Sequence, residues 1–432
     1  MNKYMNKYTS ISALLPAVAL IATTASAAGP AEWAPPGSSD LRIESLPATA
    51  PAVPPSRHVE AEPVSYAWPL NLDRGSTAPQ GPAMESRQYW VDTTGRGLEQ
   101  GLKLPLSSPG AIVRISALHA DSGVLLDAQN LQVSVDGQAL PTTRESGGLK
   151  LFTGSDLQAQ GMSVPTDSLA FQLPGQDQAR SLQLQLAGAP AEQPLVVHVF
   201  EPESQWVGQL SAERHNFLAG GELKLDVGLA GGDERFAAQS VQAVLVSPDA
   251  EQAWPLEVAG DGFTLVGHAP QDLPDAGEGL YEVHAYLEGR RDDAVIRRDL
   301  KVAVNIAAPT ARLSDDINSL DESGLKIDLG VEVAAAGRYQ VSGQVWGTDS
   351  DGSLQPLAMA QSAAVLEPGE GRLRLDVPAS LVLESGLSAP FEVREVQLID
   401  QGRMAVLEAR SRGFGIAGRD DDSRRPFDTI DP

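Results

Sequence analysis

Short segments in which apolar and polar residues alternate recur along this chain from about residue 85 onward. SLQLQLAG (181–188), LYEVHAYLEG (280–289) and GLKIDLGVEV (324–333) are examples, and turn signals containing Gly or Pro separate such segments. A period of two residues is typical of an antiparallel strand that has one face in a core and the other in water. No segment keeps a helical period, which disfavours a parallel α/β fold. We therefore predict an all-β protein.

The number and spacing of these segments predict three consecutive antiparallel β-sandwich domains, immunoglobulin-like or jelly-roll-like, after a Pro/Ala-rich arm. A length of 432 residues fits about three domains. Because the chain has no cysteine, each domain must be stabilised by its hydrophobic core. The predicted segments are, in chain order, a signal peptide (1–27), the arm (28–83), an N-terminal β domain (84–202), an immunoglobulin-like domain (203–308), a C-terminal β-sandwich domain (309–418) and a charged tail (419–432).

The first residues have the features of a secretory signal peptide. Lys3 and Lys7 precede the apolar run ISALLPAVALI (11–21), and Ala25-Ser26-Ala27 fits an A-x-A cleavage site before Ala28. A membrane anchor is the alternative, but the apolar run is shorter than the roughly 20 residues that a membrane span needs. We expect the chain to use the secretion machinery, to leave the membrane after cleavage, and to be periplasmic or extracellular.

The arm that follows is rich in Pro and Ala, a composition that favours an extended chain. Its apolar patch is YAWPLNL (66–72), which we expect to dock on a neighbouring domain. The formal net charge of −25 argues against binding to nucleic acid or to anionic membrane surfaces, which requires clustered Lys and Arg.

Two similar phrases, GLYEVHAYLEG (279–289) and GRYQVSGQVWG (337–347), place a tyrosine early in a strand. Alternation puts Tyr281 and Tyr339 on inward faces, where each hydroxyl needs one buried hydrogen-bond partner. The first phrase resembles the tyrosine corner of immunoglobulin-like sandwiches, although Gly277 and Val283 occupy the positions of its usual Asp and Cys. We therefore interpret both tyrosines as structural and not catalytic.

Two further motifs favour turns and strands over ligand sites. GFGIAG (413–418) has the letters of a dinucleotide-binding fingerprint but lacks the helix and the acidic residue that must follow it. Asp349 and Asp351 begin like a calcium loop, but Gly352 comes too early and the twelfth position is Ala360. A hairpin tip at Asp351-Gly352 is the preferred interpretation, and a weak calcium site completed by another loop is the alternative. Asp136-Gly137 likewise predicts a two-residue hairpin.

The sequence nominates no catalytic, cofactor-binding or metal-binding residue. The chain has no H-E-x-x-H motif and no G-x-S-x-G motif. Without cysteine there is no thiol catalysis, thiolate zinc site or iron–sulfur cluster. The histidines are isolated from one another; they are His58, His119, His198, His215, His268 and His284.

Trp346 and Tyr286 fall on outward strand faces by alternation. Exposed aromatic side chains on a sandwich stack on sugars or fill a pocket of a partner protein. Contact with an adjacent domain is the alternative, and it is the one that we favour.

Several segments resemble a domain-of-unknown-function family of secreted bacterial proteins. They are SRQYW (86–90), PGAIVRIS (109–116), GMSVPTDSLAFQL (161–173), VHVFEPES (197–204), GLYEV (279–283) and APFEVREVQLID (389–400). The resemblance covers roughly residues 84–418. It implies a β-rich N-terminal domain followed by immunoglobulin-like modules, and export from Gram-negative cells. It implies no activity and no functional residues.

Three hypotheses for the function follow. The first is a non-enzymatic protein of the cell envelope or extracellular space that binds a protein or glycan partner. The second is a secreted hydrolase with a site at a domain junction, and the third is a structural envelope protein.

Overall fold

The computed structural model describes residues 31–48, 61–70, 81–118, 126–142, 149–175, 180–273, 279–291, 293–320 and 324–417. The predicted signal peptide and the predicted charged tail lie outside these residues. Among the described residues, no helix combines the length and the apolar character needed to cross a bilayer.

Two short strands of the arm, and a third that begins at its last residue, Ala83, join sheets that are formed by later parts of the chain. These strands are β1 (Ala31–Trp33), β2 (Val64–Pro69) and β3 (Ala83–Ser86).

The N-terminal module, residues 88–200, packs a five-stranded sheet against a four-stranded sheet. Its strands are β4 (Gln88–Thr94), β5 (Leu102–Pro105), β6 (Ile112–Ala117), β7 (Leu131–Val135), β8 (Gln138–Leu140), β9 (Lys150–Thr153), β10 (Leu169–Gln172), β11 (Ser181–Leu186) and β12 (Pro194–Phe200). Its short helices are α1 (Gly95–Gln100), α2 (Gly154–Ala159) and a 3₁₀ turn (Ala128–Asn130). The strand orders are β4-β12-β6-β10-β9 and β5-β11-β7-β8.

The predicted alternation accounts for the core of this module. In β11 the residues Leu182, Leu184 and Leu186 are buried, whereas the intervening glutamines are exposed or half-buried. The Asp136-Gly137 hairpin between β7 and β8 is confirmed, and both residues have the positive φ angles, 49° and 82°, that such a turn requires.

The middle module, residues 206–307, is a sheet that folds around a second core. Its strands are β13 (Trp206–Ala212), β14 (Asn216–Leu218), β15 (Glu222–Gly231), β16 (Glu234–Phe236), β17 (Ser240–Val246), β18 (Ala253–Val258), β19 (Thr264–His268), β20 (Tyr281–Arg291) and β21 (Ala294–Ala307). The order is β14-β21-β20-β17-β18-β19-β15-β13-β3, with β16 paired to β15. All the pairs are antiparallel except β14 with β21.

The C-terminal module, residues 311–416, packs a six-stranded sheet on a three-stranded one. Its elements are β22 (Ala311–Leu320), β23 (Gly324–Val333), β24 (Gly337–Thr348), β25 (Leu354–Leu366), β26 (Gly369–Pro378), α3 (Ala379–Ser385), β27 (Ser388–Asp400) and β28 (Ala405–Ile416). The orders are β1-β28-β27-β24-β25-β2 and β22-β23-β26. The predicted all-β architecture with antiparallel sheets is therefore confirmed.

The arm strands occupy sheet edges. β1 and β2 flank the six-stranded sheet on opposite sides, and β3 pairs with β13 of the middle module. The Trp33 ring packs edge-on against the Phe414 ring, with the ring centroids 5.2 Å apart. The Cζ atom of Arg410 lies 3.8 Å from the Trp33 ring centroid. The prediction that the patch YAWPLNL (66–72) docks on another domain is confirmed for residues 66–69, which pair with β25, while residues 71 and 72 lie outside the described residues. β1 and β2 therefore cover the edges of β28 and β25 and become the edge strands of this sheet themselves.

The two tyrosines are buried, as the alternation predicts, at 5% and 0% exposure. The Tyr339 hydroxyl donates to the carbonyl oxygen of Ala335 at 2.5 Å, four residues upstream, which is the type of bond that defines a tyrosine corner. Tyr281 contacts Trp254, with ring centroids 6.2 Å apart. The turn that would bond the Tyr281 hydroxyl, residues 274–278, lies outside the described residues. The corner geometry is therefore observed at Tyr339.

Candidate functional site

A buried ion pair joins the N-terminal and middle modules. Glu201 directly follows β12 and Arg298 lies in β21, and the Nη1 atom of Arg298 is 2.8 Å from the Oε2 atom of Glu201. The side chains are 1% and 0% exposed. Burial lowers the pKa of Arg298, and the charge of Glu201 opposes this effect. Such a pair is stable only when further hydrogen bonds satisfy both groups.

Those hydrogen bonds are present on both sides of the pair. Glu201 accepts the backbone N–H groups of Ser107 and Ser108 at 2.5 and 3.1 Å and the Ser107 hydroxyl at 2.6 Å. Arg298 donates to the Ser204 hydroxyl oxygen at 2.8 Å and to the Trp206 carbonyl oxygen at 2.8 Å. The Arg298 guanidinium and the Glu201 carboxylate thus bond to each other and to residues at the junction of the two modules.

Close packing of the backbone accompanies this pair. A Cβ atom added to Gly208 on β13 would lie 2.7 Å from the Cβ atom of Arg298, which is too close for any side chain. Glycine therefore lets β13 approach β21 at the point where Arg298 enters the junction.

The next residue, Asp299, holds the edge of the N-terminal module. Its Oδ2 atom accepts the backbone N–H of Trp90 at 2.7 Å, and Trp90 lies in the edge strand β4. Burial raises the pKa of Asp299 to about 6, and Asp92 adds to the rise. The Trp90 N–H group, Arg297 and Arg298 oppose it. Two consecutive residues of β21 thus bind the N-terminal module. Arg298 contacts Glu201 inside the junction, and Asp299 contacts Trp90 at its rim.

A groove of about 260 Å³ opens beside this rim. Residues from both modules line it: Tyr89, Trp90, Ser240, Gln242, Tyr286, Leu287, Glu288, Arg297 and Asp299. Trp90 and Tyr286 remain 37% and 44% exposed, respectively. Because Trp90 belongs to the N-terminal module and Tyr286 to the middle module, the groove exists only when the two modules pack against each other.

The Trp90 ring is held from behind by His198 on β12. The two rings stack with centroids 4.9 Å apart and an interplanar angle of 16°, and His198 Nε2 lies 2.9 Å from Oε1 of Gln88. Burial, with a smaller contribution from the charge of Arg114, lowers the pKa of His198 to about 4. The imidazole is therefore neutral at neutral pH. This stack fixes the orientation of Trp90 at the groove.

Beneath the groove, Tyr89 points into the core of the N-terminal module. Its hydroxyl donates to the carbonyl oxygen of Pro105 at 2.6 Å, and burial raises its pKa far above the ordinary value. Across the groove, Arg297 donates to Glu288 at 2.7 Å. The groove thus presents two exposed aromatic rings beside two carboxylates, of which Glu288 is paired with Arg297.

A second recess, of about 430 Å³, lies between β2 and α3 of the C-terminal module. Its described lining consists of small, polar or charged side chains: Ser65, Ala67, Lys326, Asp376, Pro378, Ala379 and Ser380. The recess is larger than the junction groove but lacks the exposed aromatic rings that distinguish the groove.

The structure places the aromatic residues nominated by alternation in different settings. Tyr286 lies in the groove with its side chain exposed, as predicted. Trp346 is half-buried on the C-terminal module, where the Arg394 guanidinium covers its ring at 4.6 Å.

The remaining motifs occupy the elements that the sequence favoured. Gly413 to Ile416 belong to strand β28, where Phe414 is fully buried, and Gly418 lies outside the described residues. Asp349 caps the β24–β25 hairpin by accepting the backbone N–H groups of Asp351 and Ser353, both at 2.9 Å. In the described part of the chain, no group of three or more acidic or histidine side chains is placed to hold a metal ion.

Sequence reasoning missed the residues that build the junction, namely Trp90, Glu201, Arg298 and Asp299. Two of the segments that carried the family resemblance, SRQYW and VHVFEPES, lie side by side as β4 and β12 and end at this junction. The charged residue Glu201, directly after the mostly apolar strand β12, was an available signal.

Family models match two parts of the chain. The DUF4785 N-terminal domain model matches residues 55–201, and the DUF4785 C-terminal domain model matches residues 310–416. The chain belongs to the DUF4785 family. The predicted resemblance to a domain-of-unknown-function family is thereby confirmed, and the family description states no activity.

A DUF4785 protein from Legionella pneumophila has a similar crystal structure, with a TM-score of 0.66 and 19% sequence identity. The match covers 87% of this chain and 98% of the Legionella chain, so the fold is shared over nearly the whole length. Alpha-2-macroglobulin from Escherichia coli matches at a TM-score of 0.19 and 12% identity, over 72% of this chain and 22% of that one. This value is too low to support a comparison of folds. No curated protein sequence matches the chain.

Proposed function

We propose that this DUF4785 protein is a non-enzymatic binding protein of the periplasm or extracellular space that takes a protein or glycan partner at the junction groove. One observation carries the proposal: Trp90 and Tyr286, from two modules, line one groove and keep 37% and 44% of their surface exposed. Exposed tryptophan and tyrosine side chains on a rigid support are the residues that most often dominate binding energy.

The support beneath these rings favours recognition. His198 stacks on one face of the Trp90 ring, which reduces the side-chain freedom that Trp90 would lose on binding, and Asp299 accepts the Trp90 backbone N–H. Export is supported by the apolar run at residues 11–21 and the A-x-A site at residues 25–27. Cell fractionation and N-terminal sequencing test it; we expect a mature chain that begins at Ala28, and a cytosolic chain with its first residues intact would contradict export.

Site-directed variants test the groove. Glycan arrays and pull-downs from envelope extracts should be performed with the full chain and with Trp90→Ala and Tyr286→Ala variants. Matched controls are Trp68→Ala and Tyr66→Ala, since both side chains are exposed, at 44% and 56%, on β2 of the C-terminal module. We expect about a tenfold or greater loss of affinity for the groove variants only. Equal losses for the control variants would refute the proposal.

A hydrolase with its site at the junction is the second candidate, and the observation that favours it is Asp299. A buried carboxyl whose pKa is raised to about 6 suits general acid–base catalysis near neutral pH. Turnover of glycoside or peptide substrates that is abolished by Asp299→Asn would select this candidate over simple binding.

A further inference from the structure

The charges around the groove do not balance. Arg297 and Glu288 pair with each other at 2.7 Å. The Arg298 guanidinium is committed to Glu201 and to the Ser204 hydroxyl. Among the described residues Asp299 takes part in no ion pair, and its carboxylate accepts the Trp90 N–H group. One carboxylate at the groove therefore has no cationic partner of its own.

Asp92 adds negative charge beside Asp299, whereas the charges of Arg297 and Arg298 act on Asp299 in the opposite sense. Asp92 is exposed on β4 and close enough to Asp299 and Tyr286 for its charge to raise the pKa of both groups. Burial is the largest cause of the rise for each group. The formal charge of the whole chain, −25, attracts cations over a longer range.

The aromatic residues complement a positive charge as well. The faces of Trp and Tyr rings attract Lys ammonium and Arg guanidinium groups, and desolvation strengthens the attraction. His198 covers one face of Trp90 and is neutral at neutral pH, so it does not repel a cation at that ring.

Size distinguishes between ligand classes. A volume of about 260 Å³ is below the roughly 300–1,000 Å³ of pockets that enclose whole small molecules. The groove is therefore better matched to one side chain that projects from a larger surface than to several sugar rings.

We propose that the groove binds the cationic side chain, lysine or arginine, of a protein partner, with Asp299 as the counter-charge and Trp90 and Tyr286 as aromatic walls. This inference rests on the proposed binding function and specifies its ligand class.

The test uses the full chain labelled with 5-fluorotryptophan, in which ¹⁹F NMR resolves the tryptophans and a Trp90→Phe variant assigns the groove signal. The probe is the peptide acetyl-Gly-Gly-Lys-Gly-Gly-amide, and its twin with norleucine in place of lysine keeps an unbranched alkyl side chain without the charge. We expect a saturable shift of the Trp90 signal with the first peptide only. We also expect about tenfold weaker binding in Asp299→Asn, in which the amide oxygen still accepts the Trp90 N–H.

The exposed residue Asp351 provides the control, because Asp351→Asn removes the same formal charge far from the groove along the chain, in the β24–β25 hairpin. Equal weakening by Asp351→Asn would indicate attraction to net charge and would overturn the inference. A shift that is equal for both peptides, or absent for both, would also overturn it. The binding function would stand if a natural partner still required Trp90 and Tyr286, and would fail if partner binding were insensitive to both.

Discussion

Two titrations at the junction should oppose each other in their effect on stability. Asp299 accepts the Trp90 N–H and His198 stacks on the Trp90 ring. Burial raises the pKa of Asp299 from its ordinary 3.8 to about 6 and lowers the pKa of His198 from its ordinary 6.5 to about 4. The charged groups that face Asp299 are Asp92, Arg297 and Arg298, and the one that faces His198 is Arg114.

The signs follow from proton linkage. The folded state holds the Asp299 proton more tightly than the unfolded state does. The contribution of Asp299 to stability is therefore fully present below pH 3.8 and is lost as the pH rises through about 6. The folded state holds the His198 proton less tightly than the unfolded state does. The contribution of His198 to stability is therefore fully present above pH 6.5 and is lost as the pH falls through about 4. Over the same pH window the two contributions therefore cancel in the wild-type chain.

Replacing Asp299 by Asn should expose the effect of His198. A difference of one in pKa corresponds to about 1.4 kcal/mol, which gives at most about 3 kcal/mol for Asp299. Solvent screening at the open groove reduces this figure, and we expect about 1–3 kcal/mol. The free energy of unfolding of Asp299→Asn should match that of wild type at about pH 4 and exceed it by this amount at about pH 7.

Urea denaturation of the full chain, followed by tryptophan fluorescence at several pH values, measures the difference. Asp351→Asn, which removes one formal charge from the exposed β24–β25 hairpin, is the control for a change of net charge. His198→Phe keeps a ring against Trp90 and should show the opposite trend, with its stability relative to wild type rising as pH falls. A difference for Asp299→Asn that is independent of pH, or that favours wild type at neutral pH, would refute the reasoning.

Three other substitutions test interactions that stabilise the folded chain at the junction and in the C-terminal module. Arg298→Met should destabilise the chain by about 3–5 kcal/mol in urea denaturation because it leaves Glu201 buried without a counter-charge. Adding Glu201→Gln to this variant should recover part of the loss. Losses that simply add in the double variant would contradict this expectation. Gly208→Ala should cost about 1–3 kcal/mol in the same assay through its clash with Arg298, whereas Gly260→Ala, which has open space around it, should cost little. Tyr339→Phe should lower stability by about 1 kcal/mol through loss of its hydroxyl bond, and an unchanged thermal midpoint would show that the bond contributes nothing.

Alternation predicted the strands and the buried faces because it reflects local chemistry, in which each strand has one face in a core. Tyr281 to Leu287 illustrate this, since the odd-numbered residues are buried and Tyr286 is exposed. The role of the arm was not predictable to the same extent. Strands as short as Ala31–Trp33 carry no periodic signal, and their partners lie hundreds of residues away.

By itself, the sequence determined the all-β class, the reliance on hydrophobic cores without disulfides, and the inward positions of Tyr281 and Tyr339. Only the tertiary structure decided that Glu201 meets Arg298, and that Trp90 and Tyr286 share one groove. The physical reason is that periodicity specifies which face of a strand is buried, whereas a junction depends on how two modules pack. That packing is set by side chains that are far apart along the chain and gain partners only when the modules meet.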